Sequence, residues 1–253
     1  MARLVTNAPA GWPQGSTTGP SYNACLAALS PGGLARLKPH MNEVTLAANT
    51  LLWEAGRPVT HSYFPVSGYI SIVLPLVDGQ TIEVASVGRE GAAGTRLDRD
   101  EGRFATAGLV TIGGRFVKIV ADVLRAAAED DREISLLLRL CRDWIFIQAQ
   151  QIAACNTVHA ADRRFCRWLF ECSRRVQSDM IFATQEQIAG LLGIRRTTVT
   201  LLAQGLHTRG LIDYSRGKIS VIDAEGLRES ACGCCDSLAP RHWPSKRLTP
   251  AES

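Results

Sequence analysis

From Ala121 to Val176 the chain contains neither glycine nor proline, and a run of that length without a breaker has one economical conformation, the α-helix. The sequence before it has a different texture. From about residue 44 to 120, short apolar runs alternate with turn residues: VTLAANTLLWEAG, HSYFPVSG, YISIVLPLVDGQTIEVASVG, FATAGLVTIGG, RFVKI. Many short strands separated by glycines predict an antiparallel roll, barrel or sandwich rather than a parallel sheet. The strongest local signal is Tyr69 to Leu76, then Asp78-Gly79, then Thr81 to Val87, because Asp-Gly readily supplies the positive φ angles of a type I′ hairpin turn. Gly113-Gly114 marks a second turn. The expected class is α+β, with the β half first.

Within the helical stretch, Ile134, Leu137 or Leu138, Cys141, Trp144 or Ile145, Gln148 and Ile152 follow alternating three- and four-residue steps, which puts them on one seam of a long helix. That seam either packs on its own β domain or zips against a second copy. The second reading is favoured, because Ile145, Phe146 and Ile147 widen the apolar stripe beyond one face. Asn156 with Val158 to Ala161 marks the break to another helix, whose stripe is Phe165, Trp168, Leu169 and Cys172.

The function-bearing segment is TQEQIAGLLGIRRTTVTLLAQGL, from Thr184 to Leu206. Thr184 and Gln187 have the spacing of a capping box. Ala189 permits close helix approach, and four residues later Gly193 can take the left-handed conformation that ends a helix. Ile188 and Leu192, then Val199, Leu202 and Leu206, supply the buried faces of a helix-turn-helix. Arg195 and Arg196 fall in the first turn of the second helix, where the dipole favours acids, so a polyanion is the partner that would repair the placement. No acidic residue occurs between Gln187 and Ile212, and from Arg163 to Lys218 ten Lys and Arg face four Asp and Glu. The whole-chain charge of +4 conceals this basic region. Beyond it, Ile212 to Ser215 and Ile219 to Val221 flank the basic turn Arg216-Gly217-Lys218, the pattern of a wing that touches the nucleic-acid backbone. A purely structural helical hairpin is the bland alternative.

On these residues, and on NTLLWEAGRPVTHSYFPVSGYISIV and VGREGAAG in the β half, the chain resembles the Crp-Fnr family of bacterial transcription regulators over roughly residues 25 to 230. The resemblance implies an N-terminal cyclic-nucleotide-binding-like β-roll, a long dimerisation helix and a C-terminal winged helix-turn-helix. The corresponding division is a flexible tail over 1–22, the roll over 23–128, the dimerisation helix over 129–156, the DNA-binding domain over 157–231 and a tail over 232–253. It further implies a homodimer on palindromic double-stranded DNA, RNA polymerase as another partner, and Arg195, Arg196, Thr197 and Thr200 at base edges, with Thr184, Arg216 and Lys218 at the backbone. Arg196 is the main candidate, because a guanidinium can bond guanine O6 and N7 together. The cyclic-AMP regulators carry an acid and a second arginine where this chain has Thr197 and Leu201, which implies a different operator.

The effector is open. The resemblance implies that a cyclic-nucleotide pocket would have a Gly-Glu turn followed by Arg-Ser or Arg-Thr to hold the cyclic phosphate; here Glu90 lies in Gly88-Arg89-Glu90-Gly91, but Arg103 is followed by Phe104. Glu90 and Arg103 are therefore weak effector candidates and cyclic nucleotide is disfavoured. An iron-sulfur cluster is disfavoured too, since only Cys25 precedes Cys141. His40, His61 and His159 are conceivable haem ligands, but lone histidines are more often packing or surface residues. Cys232-Gly-Cys234-Cys235 is the densest thiol group; it lacks a paired Cys-x-x-Cys to complete a zinc tetrahedron, and His242 is the one nearby candidate ligand. The reading is a packed or exposed tail without metal, with Cys141, Cys155, Cys166 and Cys172 as small core residues. Without an export signal or an apolar span the expectation is a cytoplasmic protein off the membrane. No nucleophile elbow, phosphate loop or metal-protease helix points to an enzyme. The alternative to a regulator is a roll-and-helix module that contacts proteins rather than DNA.

Overall fold

The computed structural model describes residues 23–96, 103–176, 178–215 and 217–234. Two short helices, α1 (Ala24–Ala28) and α2 (Pro31–Leu37), precede seven strands: β1 (Asn42–Leu46), β2 (Leu51–Trp53), β3 (His61–Pro65), β4 (Tyr69–Pro75), β5 (Thr81–Val87), β6 (Ala107–Ile112) and β7 (Gly114–Val120). They form two antiparallel sheets, ordered β1-β7-β3 and β2-β6-β4-β5. Trp53, Ile70, Ile72, Ala85, Val87, Val110 and Phe116 fill the space between them, so each strand contributes alternate side chains to one core.

The hairpin of β4 and β5 forms where Asp-Gly predicts it, with a different turn. Gly79 N donates to Leu76 O at 3.0 Å and Leu76 N to Gln80 O at 2.7 Å. Gly79 takes φ 84° while Asp78 is not among the positive-φ residues. The loop is thus a turn followed by a left-handed glycine, the three-residue hairpin solution, and not a type I′ pair. The turn expected at Gly113-Gly114 joins strands that do not pair: β6 pairs with β2 and β4, and β7 with β1 and β3, so the two glycines mark the corner where the chain passes from one sheet to the other.

The helical stretch divides into α3 (Ala121–Asp130), α4 (Arg132–Val158) and α5 (Ala161–Val176). The break at Asp131 is additional to the one expected near His159. Asp131 leaves helical geometry, and its carboxylate accepts from Glu133 N and Ile134 N, the ordinary action of an N-cap. The α4 seam of Ile134, Leu137, Leu138 and Cys141 packs with Leu26, Leu37, Phe64, Val117, Ile119 and Leu124 of its own chain. That seam is therefore satisfied within the chain.

The C-terminal part holds β8 (Met180–Phe182), α6 (Gln185–Leu192), α7 (Arg196–Thr208), β9 (Ile212–Ser215), β10 (Lys218–Val221) and α8 (Ala224–Ser230). Its core joins Phe165, Trp168, Leu169 and Cys172 of α5 to Ile188, Leu192, Val199, Leu206, Ile219 and Leu227, and takes in Tyr69, Val73 and Ile112 of the roll. The roll and the helical half thus share apolar surface. Among the described residues no helix is long and apolar enough to cross a membrane.

Candidate nucleic-acid interface

Thr184 closes a full capping box at the start of α6: its side chain accepts from Gln187 N at 3.2 Å, and Gln187 Oε1 accepts from Thr184 N at 2.8 Å. At the other end Gly193 adopts φ 62°, ψ 41°, and Ile194 N returns to Ala189 O at 3.0 Å. These bonds satisfy the helix-end amides and carbonyls and fix a sharp corner. Beyond it α7 begins at Arg196, with Arg195 as an N-cap whose side chain caps nothing. Val199, Ala203 and Leu206 are buried against α6, Leu202 is half-buried, and Arg195, Arg196, Thr197, Leu201 and Gln204 are exposed. The outer face of α7 therefore carries two cations at its first turn and no acid.

One acid does approach that face. Glu186 Oε2 lies 3.9 Å from Arg196 Nε, with the side chains 78% and 69% exposed. A pair this solvated is worth little and yields easily to a phosphate or base. Thr200 is half-buried, and its hydroxyl lies 2.7 Å from Gln185 Oε1 and 3.1 Å from Arg196 O. That engagement leaves its methyl as the group more readily offered outward. Neither Glu186 nor Gln185 figures in the sequence-based reading, because both lie just upstream of the acid-free stretch.

The wing is a three-stranded sheet, β8-β10-β9. Strand β8 has no counterpart in the sequence-based reading, its three residues being too short to declare a period. Lys218 is exposed and pairs in register with Phe182 and Ser215, while Arg216 lies outside the described residues.

The effector candidates part company. Glu90 is buried: Oε1 accepts from Gly88 N at 3.1 Å and sits 3.3 Å from Arg175 Nε on α5. Arg175 also donates to Ser86 O at 3.2 Å and to Gln148 Oε1 at 3.1 Å, and its Nη2 lies 3.6 Å from Glu171. Burial opposes the Arg175 charge, but Glu90 and Glu171 outweigh it and hold the group protonated. Glu90 thus braces its own turn and ties the roll to α5. Arg103 is exposed and bonds Gly56 O at 3.3 Å, while Phe104 packs edge-on against Trp53. The two candidates have separate partners.

Next to this joint, Glu83 of β5 is buried and accepts from Ser71, whose hydroxyl also meets Thr111. Burial pushes its carboxyl up to about 7, against the opposing pull of the Ser71 hydrogen bond and Arg175. On the outer side, α6 rests along β5, and Gln187 Nε2 bonds Asn49 Oδ1. His61 shares a hydrogen bond with Thr60 at 2.9 Å. Of the C-terminal thiols, Cys232 is buried and Cys234 half-buried, so the tail starts packed; Cys235 and His242 lie outside the described residues.

Residues 163–230 match the Crp-like helix-turn-helix domain. The chain is similar in structure to FixK2 from Bradyrhizobium japonicum, at 18% identity and a TM-score of 0.64, over 76% of this chain and 98% of that one. It is similar to the c-di-GMP responsive global regulator CLP of Xanthomonas campestris, at 15% identity and a TM-score of 0.61, over 76% and 99%. A Crp/Fnr transcriptional regulator from Thermus thermophilus gives 19% and 0.58 over 75% and 98%. No curated protein matches the chain in sequence.

Proposed function

We propose that this chain, with its Crp-like helix-turn-helix over residues 163–230, is a DNA-binding regulator of the Crp-Fnr type, that α7 enters the major groove with Arg195, Arg196 and Thr197 foremost, and that two chains bind a palindromic site together. The observation that carries this reading is the uncapped start of α7. Two exposed guanidinium groups stand beside the free amides of the first turn, with no acidic residue along the helix. Such an end attracts phosphate, and the arginines reach beyond it to guanine edges. Thr200 contributes its methyl to a thymine. Thr184 and Lys218 flank the groove at phosphates. The alternative of a protein-contacting module is not favoured, since its hairpin would have no use for a Crp-like recognition helix.

The second copy docks on α4. With its buried seam already covered, α4 keeps a more exposed row at helical spacing, Leu136, Ile147, Ala154 and Val158, interrupted by Asp143 and Gln151; Leu136 is 41% and Val158 71% exposed. Phe146, 63% exposed, borders it. A largely apolar exposed row along a helix of this length fits self-association. It brings two copies of α7 to half-sites about 34 Å, one helical turn, apart. RNA polymerase is a further partner of a regulator placed on DNA this way.

Selection of bound duplexes from a random library returns a palindrome. Arg196→Ala weakens the selected site by about 1–3 kcal/mol and relaxes preference at one base pair per half-site. Lys218→Ala lowers affinity for all duplexes alike and reduces the salt slope by about 1 per chain. Affinity that ignores both salt and Arg196 would defeat the reading. Leu136→Glu with Phe146→Glu shifts the sedimenting species from dimer to monomer; an unchanged dimer would move the interface elsewhere.

A further inference from the structure

Four residues that the sequence scatters over nearly eighty positions meet at one point. Cys155 and His159 lie one turn apart at the end of α4, His159 being its C-cap, and Cys232 and Cys234 follow α8. The three sulfurs and the imidazole nitrogen all lie within 4.8 Å of one another, and Cys234 Sγ is 3.9 Å from His159 Nδ1. In a zinc tetrahedron with bonds of about 2.3 Å to sulfur, ligand atoms stand roughly 3.8 Å apart, so the cluster is near that size already.

We propose that Cys155, His159, Cys232 and Cys234 form a closed Cys3His site for a thiophilic divalent metal ion, zinc by its donor set.

The surroundings suit such a centre. Cys155 and Cys232 are buried, while His159 and Cys234 are half-buried, which leaves a route for the ion on one side. Gln151 Nε2 lies 3.3 Å from Cys155 Sγ, the outer-shell hydrogen bond that orients a thiolate ligand. Three thiolates and one neutral imidazole around a divalent cation carry a net negative charge, and a cation waits for it. Arg167 of α5 is 5% exposed, and its Nε and Nη1 make no hydrogen bond. Zinc prefers this mixture of sulfur and nitrogen in tetrahedral geometry, and four protein ligands leave no open position, which makes the site structural rather than catalytic. Its effect is to fasten the segment after α8 to the corner of α4 and α5, the two ends of the DNA-binding half. Binding energy then adds to folding stability.

The test uses the full chain, stripped of metal by a chelator under reducing conditions, with Co2+ as the spectroscopic probe. One equivalent of Co2+ binds with the intense visible bands of tetrahedral thiolate coordination, and Zn2+ displaces it. His159→Ala changes the band pattern and weakens Zn2+ binding at least about tenfold. Cys155→Ala does the same, which separates this site from one made by the C-terminal thiols alone. Cys166→Ala, a thiol outside the four, leaves spectrum and affinity unchanged, and circular dichroism on each variant confirms that the helices persist. A weak octahedral cobalt spectrum in the unaltered chain overturns the proposal, as does binding that is the same in His159→Ala and Cys155→Ala as in the parent. Neither outcome touches the DNA-binding reading, since no duplex enters the experiment.

Discussion

Replacing Arg175 with alanine lowers the unfolding free energy by about 3–5 kcal/mol, measured by urea denaturation at fixed chain concentration. The side chain is 3% exposed and sits where β5, α4 and α5 converge. Its removal strands Glu90, whose carboxylate lies 3.3 Å from Arg175 Nε, as a buried charge without its counter-ion. It also deprives Ser86 O and Gln148 Oε1 of a donor. The cost is mostly that of the groups left behind, since the net worth of a buried pair is small. Adding Glu90→Gln to the alanine variant therefore recovers a substantial part of the loss, because the stranded charge disappears. A single variant losing under about 1 kcal/mol, or a double variant worse than the single by the full amount for Glu90→Gln alone, would mean that this network does not hold the roll to the helix-turn-helix half.

Arg175 also indicates where sequence reasoning reaches and where it stops. Helix-turn-helix geometry is legible because each part is local: Thr184 with Gln187, Ala189, Gly193 and the Val199 to Leu206 stripe all act within a few residues. The β4–β5 hairpin is legible for the same reason, although the turn type depends on how Leu76 and Gln80 close the loop. Contacts between distant segments leave only traces. Arg175 occupies the apolar stripe of α5, one helical step beyond Cys172, which marks a buried arginine without naming Glu90 as its partner. Cys155 and His159 stand four apart at a helix end, but Cys155 reads as a packing residue until α8 brings Cys232 and Cys234 beside it. The long α4 seam admits two partners, and its own chain takes the seam, because α1, α2 and α3 offer apolar side chains there. Glu90 reads as an effector candidate because a Gly-Glu turn is the same string whether it faces a ligand or an arginine of the next domain.

Stability falls by about 3 kcal/mol as pH rises from 4.5 to 8, and Glu83→Gln abolishes that part of the fall. A bulge turns Glu83 to the face of β5 that looks toward α5, beside Val73 and Ser71, and burial lifts its carboxyl from 4.5 to about 7. The folded chain therefore holds this proton more tightly than the unfolded one, and the advantage is complete below about 4.5. Between 4.5 and 7 the unfolded chain releases the proton while the folded chain keeps it, so each step upward in pH favours unfolding until the folded carboxyl ionises as well. The charges that face it are Arg175, Glu171 and Arg167, all on α5; the arginines moderate the rise and Glu171 adds to it. Glutamine keeps the size and an acceptor for the Ser71 hydroxyl but carries no titrating proton. Urea midpoints at intervals across this range give the slope directly. Parallel slopes for parent and variant would mean that Glu83 ionises in the folded chain as it does in the unfolded one, and that Arg175 and Arg167 fully offset its burial.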